Sequence, residues 1–207
     1  MRALILLVVA CSSAHEPDGT YAGRAIAPTM SYLGAAWLDR PEREAREQPE
    51  RVLDALAIKP TDVVADVGAG TGYFALRLAK HAMHVFATDL QPEMRAQLGI
   101  RADGVKNLEV RSATATDSGL PAGCCDLVLM VDVYHELADP AAVMATVRRA
   151  LRPGGRLVLV EYRGEDPAVP IKPEHKMTLA QIRKELAGWR FVESLEFLPD
   201  QRVVIFN

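Results

Sequence analysis

Cysteine is scarce in this chain, with three residues in 207: Cys11, Cys124 and Cys125. Two are adjacent and the third is far away, so neither a disulfide framework nor a metal-ligand spacing emerges, and the vicinal pair reads as structural thiols. No apolar run reaches the ~18–20 residues that a helix needs to cross a bilayer. Charge of one sign is also missing: the formal net charge is −3, without the basic footprint of a nucleic-acid binder. Three catalytic signatures are absent as well. There is no G-x-S-x-G elbow for a serine hydrolase and no Gly-Lys-Ser/Thr ending of a P-loop. The His135-Glu136 pair lacks the second histidine of H-E-x-x-H, because Asp139 stands there.

What is present is enough apolar sequence, 49% of 207 residues, for one main domain with a sizeable core. Its clearest stretch is Val63-Val64-Ala65-Asp66-Val67-Gly68-Ala69-Gly70-Thr71-Gly72-Tyr73-Phe74. A short buried strand runs into three alternating glycines. Phe74 with Leu78 and Ala75 with Ala79 then repeat at helical spacing. Strand, glycine turn and helix start open a nucleotide-binding βαβ unit, whose glycines let the backbone approach a ligand closely. A dinucleotide loop needs G-x-G-x-x-G, but Tyr73 occupies the third glycine position, which disfavours a nicotinamide oxidoreductase. Asp66, two residues before Gly68, is poorly placed for a pyrophosphate and well placed for a ligand carrying an ammonium group.

Asp-x-Gly-x-Gly-x-Gly resembles the first motif of class I S-adenosylmethionine-dependent methyltransferases. The resemblance covers residues 49–207. It implies an α/β fold: a doubly wound, seven-stranded Rossmann-like sheet, mostly parallel, with one antiparallel strand near the C-terminus. It also implies S-adenosyl-L-methionine as cofactor, with Asp66, Gly68, Ala69, Gly70 and Gly72 around its methionine end. Val85–Asp89 reads as the second strand. Asp89, nineteen residues past Gly70, suits a bidentate ribose acceptor, although capping of the helix from Pro92 competes for it. Leu90 and Gln91 would flank the adenine. The family's adenine-reading aspartate has no clear match in Ser112–Asp117, where Thr114 is the candidate.

Asp126–Val131 reads as a central parallel strand, and Asp132-Val133-Tyr134-His135-Glu136-Leu137 follows it. Ligands in open α/β sheets lie beyond the carboxyl ends of strands, so Asp132, Tyr134 and His135 are expected around the transferred methyl. His135 is the candidate general base, since an unperturbed imidazole titrates near neutral pH; a purely capping or packing role is the alternative. Glu161 and His175 join the candidates for the acceptor pocket. A turn at Arg152–Arg156, a fifth strand Leu157–Tyr162, an irregular proline-rich segment 167–177, a helix Thr178–Trp189 and a hairpin of Phe191–Phe197 with Arg202–Phe206 complete the expected domain.

The N-terminal 48 residues differ in character. Met1-Arg2, eight apolar residues and Cys11-Ser12-Ser13 follow signal-peptide grammar. Val8-Val9-Ala10-Cys11 resembles a bacterial lipoprotein box, which implies membrane attachment through a lipidated Cys11. A cytoplasmic chain with a disordered or strand-like N-terminus is the alternative. Residues 12–48 read as a tether in which the charged run Arg40–Gln48 is a solvated helix face. The aromatic-bearing segment before that run is a candidate lid. The function expected is methyl transfer to a small-molecule acceptor, not a nucleic acid; a protein that binds the cofactor without turnover is the rival.

Overall fold

The computed structural model describes residues 19–207; the signal and lipoprotein reading of residues 1–11, Cys11 included, lies outside them. After a two-residue hairpin, β1 (Thr20–Tyr21) with β2 (Arg24–Ala25), comes a 3-10 helix, Tyr32–Asp39. The helices α1 (Glu42–Glu47) and α2 (Pro49–Leu56) lead into the sheet. The sheet strands are β3 (Val63–Val67), β4 (His84–Asp89), β5 (Leu108–Ser112), β6 (Cys125–Val131), β7 (Leu151–Arg163), β8 (Lys176–Met177), β9 (Phe191–Leu195) and β10 (Gln201–Phe206). Between them run α3 (Ala75–Leu78), α4 (Pro92–Arg101), α5 (Pro140–Ala150) and α6 (Leu179–Glu185).

Strand order is β5-β4-β3-β6-β7-β10-β9, with β8 attached to β7. The β3, β4, β5, β6 and β7 pairings are parallel, and β10 is antiparallel to both its neighbours. The seven-stranded sheet is therefore present, and the proline-rich segment adds an eighth, two-residue strand where Tyr162 pairs with Lys176 and Arg163 with Met177.

The period-two rule for strands divides the core. Val64, Leu127, Leu129, Val158 and Ile205 face one layer with α2 and α3. Ala65, Val128, Met130, Leu159 and Val204 face the other with α5 and α6. Both faces of β6 are covered, which explains its unbroken apolar run. Helix α5 begins where the Asp139 side chain accepts from the Ala142 N–H and Pro140 takes the first turn. Val143, Val147 and Ala150 then form its buried stripe.

Three local expectations change. The turn expected at Arg152–Arg156 is continuous with β7, because Leu151 pairs with Cys125 before a register shift resets the ladder at Leu127 and Arg156. The charged run is solvated only in part: Glu42, Glu44 and Arg46 are exposed, but Arg43 and Glu47 on α1 are buried, joined at 2.6 Å. The Arg43 guanidinium also stacks 4.0 Å from the Tyr73 ring centroid. Spacing by four residues aligned the pair, and the tertiary fold then covered it. Cys124 and Cys125 form a vicinal disulfide at the start of β6 rather than free thiols.

Candidate active site

The strand order reverses between β3 and β6, the switch point where open α/β sheets bind ligands. A cavity of about 670 Å³ opens there, beyond the carboxyl ends of β3, β4, β6 and β7. Gly68, Gly70, Asp89, Leu90, Thr114 and Asp132 line one part, and His135, Glu136 and His175 line another.

Each glycine of the loop has positive φ: +75° at Gly68, +54° at Gly70 and +89° at Gly72. The three nevertheless do different work. A Cβ on Gly72 would lie 2.2 Å from Leu98 on α4, so this glycine permits helix packing and does not line the cavity. A Cβ on Gly70 would meet the Leu38 side chain at 2.7 Å, on the cavity side. The Gly68 and Ala69 N–H groups both donate to the Thr88 carbonyl, at 2.8 and 2.9 Å, which staples the loop to β4. Gly68 lines the cavity, whereas Ala69 does not.

Both Asp89 carboxylate oxygens have backbone partners. Its Oδ1 accepts from the Gln91 N–H at 2.8 Å, at the start of α4, and its Oδ2 accepts from the Gly70 N–H at 2.9 Å. A carboxylate has about four lone-pair sites, so acceptor capacity remains on the cavity side. Burial raises the Asp89 pKa, and the Gln91 and Gly70 N–H groups oppose that rise. Asp66 is placed differently from expectation. It is buried beneath the loop, does not line the cavity, and burial pushes its carboxyl up to about 7 against the opposing charge of Arg43.

The N-terminal segment lies over this end. Gln91 fastens it: Oε1 accepts from the Tyr32 N–H at 2.9 Å, and Nε2 donates to the Met30 carbonyl at 2.9 Å. Met30, Trp37, Leu38 and Arg43 thus line the cavity. No motif marks these residues, because they reach the site from a segment remote in sequence from the loop.

At the other end, the segment after β6 turns sharply. Asp132 takes φ +55°, and both its carboxylate oxygens accept from Gln201 Nε2 at 2.9 and 2.7 Å. Burial raises its pKa, helped by the charges of Glu47 and Glu161. The 3-10 turn Tyr134–Glu136 then sends two neighbours opposite ways. His135 faces the cavity, while Tyr134 does not line it; its ring packs toward Arg24 and Glu185. The expectation that Tyr134 surrounds the reacting group is corrected on that ground.

His135 is only 1% exposed and is held from behind by Glu161, which is fully buried. Glu161 Oε2 lies 2.6 Å from His135 Nδ1, and its Oε1 accepts from the Tyr134 N–H at 3.0 Å. The carboxylate assigns the Nδ1–H tautomer, leaving Nε2 toward the cavity, 3.1 Å from Nδ1 of His175. Burial works against charge on His135, but Glu161 outweighs it and the pKa is raised. His175 moves the other way, lowered by burial and by His135. Burial also pushes Glu136 up to about 7.

Comparison with known proteins agrees with this architecture. Residues 65–159 match the Methyltransf_11 family, a methyltransferase domain. An uncharacterized methyltransferase-like protein of Schizosaccharomyces pombe is 31% identical over 146 residues, covering 69% of this chain and 55% of that protein. A demethylmenaquinone methyltransferase of Tropheryma whipplei is 29% identical over 132 residues, covering 64% of this chain and 54% of its own length. The chain thus spans about half the length of the curated relatives it matches. A crystal structure of an S-adenosylmethionine-dependent methyltransferase from Aquifex aeolicus superposes with TM-score 0.80 at 26% identity, covering 86% of this chain and 98% of the other. The strand order and the superposition on the Aquifex protein show a class I methyltransferase fold, and residues 65–159 are similar to a methyltransferase domain.

Proposed function

We propose that the protein transfers a methyl group from S-adenosylmethionine to a small-molecule acceptor. The observation that carries this reading is one continuous cavity. The glycine loop and Asp89 stand at one end, and His135, braced by Glu161, stands at the other. The named cofactor dependence of the Aquifex protein supports the same reading. Asp89 would take the ribose hydroxyls, Leu90 and Thr114 would border the adenine, and Gly68, Gly70 and Asp132 would border the methionine end. Asp66 would act through the loop above it.

The cofactor supplies an electrophilic methyl on a sulfonium. The chain's own work is to hold the acceptor in line with it and to keep water out. Trp37 and Leu38 cover the loop end, and Tyr162 and Ile171 border the acceptor end. His135 presents its Nε2 to the acceptor end of the cavity. The net charge of −3 gives no basic excess, in keeping with a small acceptor.

An activity-guided screen of metabolites with methyl-labelled S-adenosylmethionine tests this reading. Label should pass to a small compound with wild-type protein and not with Gly70→Val. Tight binding of S-adenosylhomocysteine without transfer to any acceptor would instead establish the non-catalytic rival. A lipid anchor at Cys11 belongs to the same proposal and rests on the sequence alone. Mass spectrometry of the mature N-terminus should find a diacylglyceryl-modified Cys11; an unprocessed Met1 would exclude it.

A further inference from the structure

The acceptor end of the cavity contains three donor atoms that the methyl-transfer reading does not use as a set. His135 Nε2 lies 3.1 Å from His175 Nδ1 and 3.9 Å from Glu136 Oε1, and the last two lie 3.8 Å apart. A triangle with those sides has a centre about 2.1 Å from every corner, close to the ~2.0–2.2 Å of zinc–imidazole and zinc–carboxylate bonds. Among the described residues, no other three histidine, cysteine, aspartate or glutamate side chains converge as closely.

Three further features separate this cluster from a chance meeting of polar side chains. The His135 side chain is 2% exposed, and those of Glu136 and His175 are 16% and 22% exposed, so one flank is fixed in protein and the other meets the cavity. Glu161 binds His135 through the ring nitrogen that faces away from the cluster, at 2.6 Å. That is the carboxylate–histidine–metal arrangement, in which an outer acid fixes tautomer and ring orientation. Finally, the ligands come from two separate turns, Tyr134–Glu136 and Pro173–His175, brought together by the β7–β8 pairing. A 40-residue gap between the histidines leaves no spacing for a sequence motif to record.

We propose that His135, Glu136 and His175 form a divalent metal site, with zinc the best match, whose open coordination position faces the methyl acceptor. Two imidazoles and one carboxylate with a free position are the donor set of catalytic zinc. The proposed use of the site rests on the methyl-transfer reading, while its existence does not. An acceptor hydroxyl or thiol that takes the open position ionises more readily there, and its proton passes to water. The lone pair left on oxygen or sulfur then forms the new bond to the methyl carbon. The methyl–sulfonium bond breaks with its electrons to sulfur, leaving a neutral thioether. The ring nitrogen of His135 serves as ligand in this step, and the metal activates the acceptor.

The test uses chelator-treated, full-length protein dialysed against zinc chloride, with metal and protein quantified together. One zinc per chain is expected in wild type, and cobalt(II) in its place should give the intense visible bands of a low-coordinate site. His175→Ala should weaken zinc binding at least tenfold and abolish those bands. Glu161→Gln, which leaves every ligand in place, should weaken it by roughly 10–100-fold. Glu136→Gln serves as the comparison if His175→Ala does not fold. Absence of zinc from wild type, or binding unchanged in the ligand variants, overturns the proposal. S-adenosylhomocysteine binding measured on the same samples separates the two readings: homocysteine-form binding without zinc sinks the metal site alone, and zinc without it sinks the methyl-transfer reading.

Discussion

At the scale of single residues, Asp66 and Asp89 show how one residue type is turned to two purposes. Both are buried carboxylates at one end of the sheet, but only Asp89 reaches the cavity. Asp89→Ala should weaken S-adenosylmethionine binding by ~1.5–3 kcal/mol, the range of a hydrogen bond to a charged group, or roughly 10–150-fold in Kd. Calorimetry that finds unchanged affinity would remove the ribose from Asp89. Asp66 makes a different prediction. Its folded pKa of about 7 lies above the ordinary 3.8. Between those values the unfolded chain has released a proton that the folded chain keeps. The stability associated with Asp66 is therefore fully present below pH 4 and is lost as pH rises through about 7. Asp66→Asn removes this loss while keeping an oxygen to accept from the Ala75 N–H. Relative to wild type, the variant should gain stability, by up to roughly 4 kcal/mol, between about pH 4 and pH 8. Denaturant titrations at the two pH values measure the difference, and a constant offset between the proteins would contradict it.

At the scale of elements, Gln91 ties the N-terminal segment to the start of α4 beside the glycine loop, alongside the Arg101–Asp39 pair and the Arg43 bond to the Leu38 carbonyl. Gln91 satisfies the Tyr32 N–H and the Met30 carbonyl at once, and Leu38 then lies against Gly70. Gln91→Ala should free residues 30–39 at a cost of about 1–2 kcal/mol for two neutral hydrogen bonds. Amide exchange across that segment should accelerate by roughly 5–30-fold, while β3 and β6 keep their protection. Unchanged exchange would mean that the Arg101–Asp39 pair, the Arg43 bond to the Leu38 carbonyl and packing hold the segment without Gln91. These contacts also explain what could be read in the chain beforehand. β3, its glycine loop and β4 were legible because each is specified locally, by period or turn residues. Asp89 was legible by its distance from the loop. The lid contacts, the Gln201–Asp132 pair and the outward turn of Tyr134 were not, since they depend on which strand neighbours which. His135 and His175 could each be named as candidates, but their meeting at 3.1 Å follows only from β8 joining β7.

At the scale of the whole molecule, the sheet is one body with two covered faces, and the cavity lies across its switch point. A ligand held by the ends of β3, β4 and β6 therefore stabilises strands from both halves of the sheet, not a peripheral loop. At 100 times its Kd, S-adenosylhomocysteine should add about 2.7 kcal/mol to the folded state. For a domain of this size that corresponds to a rise in Tm of roughly 5–11 °C. Gly70→Val places a branched side chain at φ +54° against Leu38 and into the cavity mouth. It should lower the basal Tm and also abolish the ligand-induced rise. The second effect is the informative one. A variant that is less stable but still gains several degrees from the ligand would show that the loop supports the fold without facing the cofactor. Loss of the rise in Gly70→Val, together with a diminished rise in Asp89→Ala, would tie binding to both strand ends that the sheet brings together.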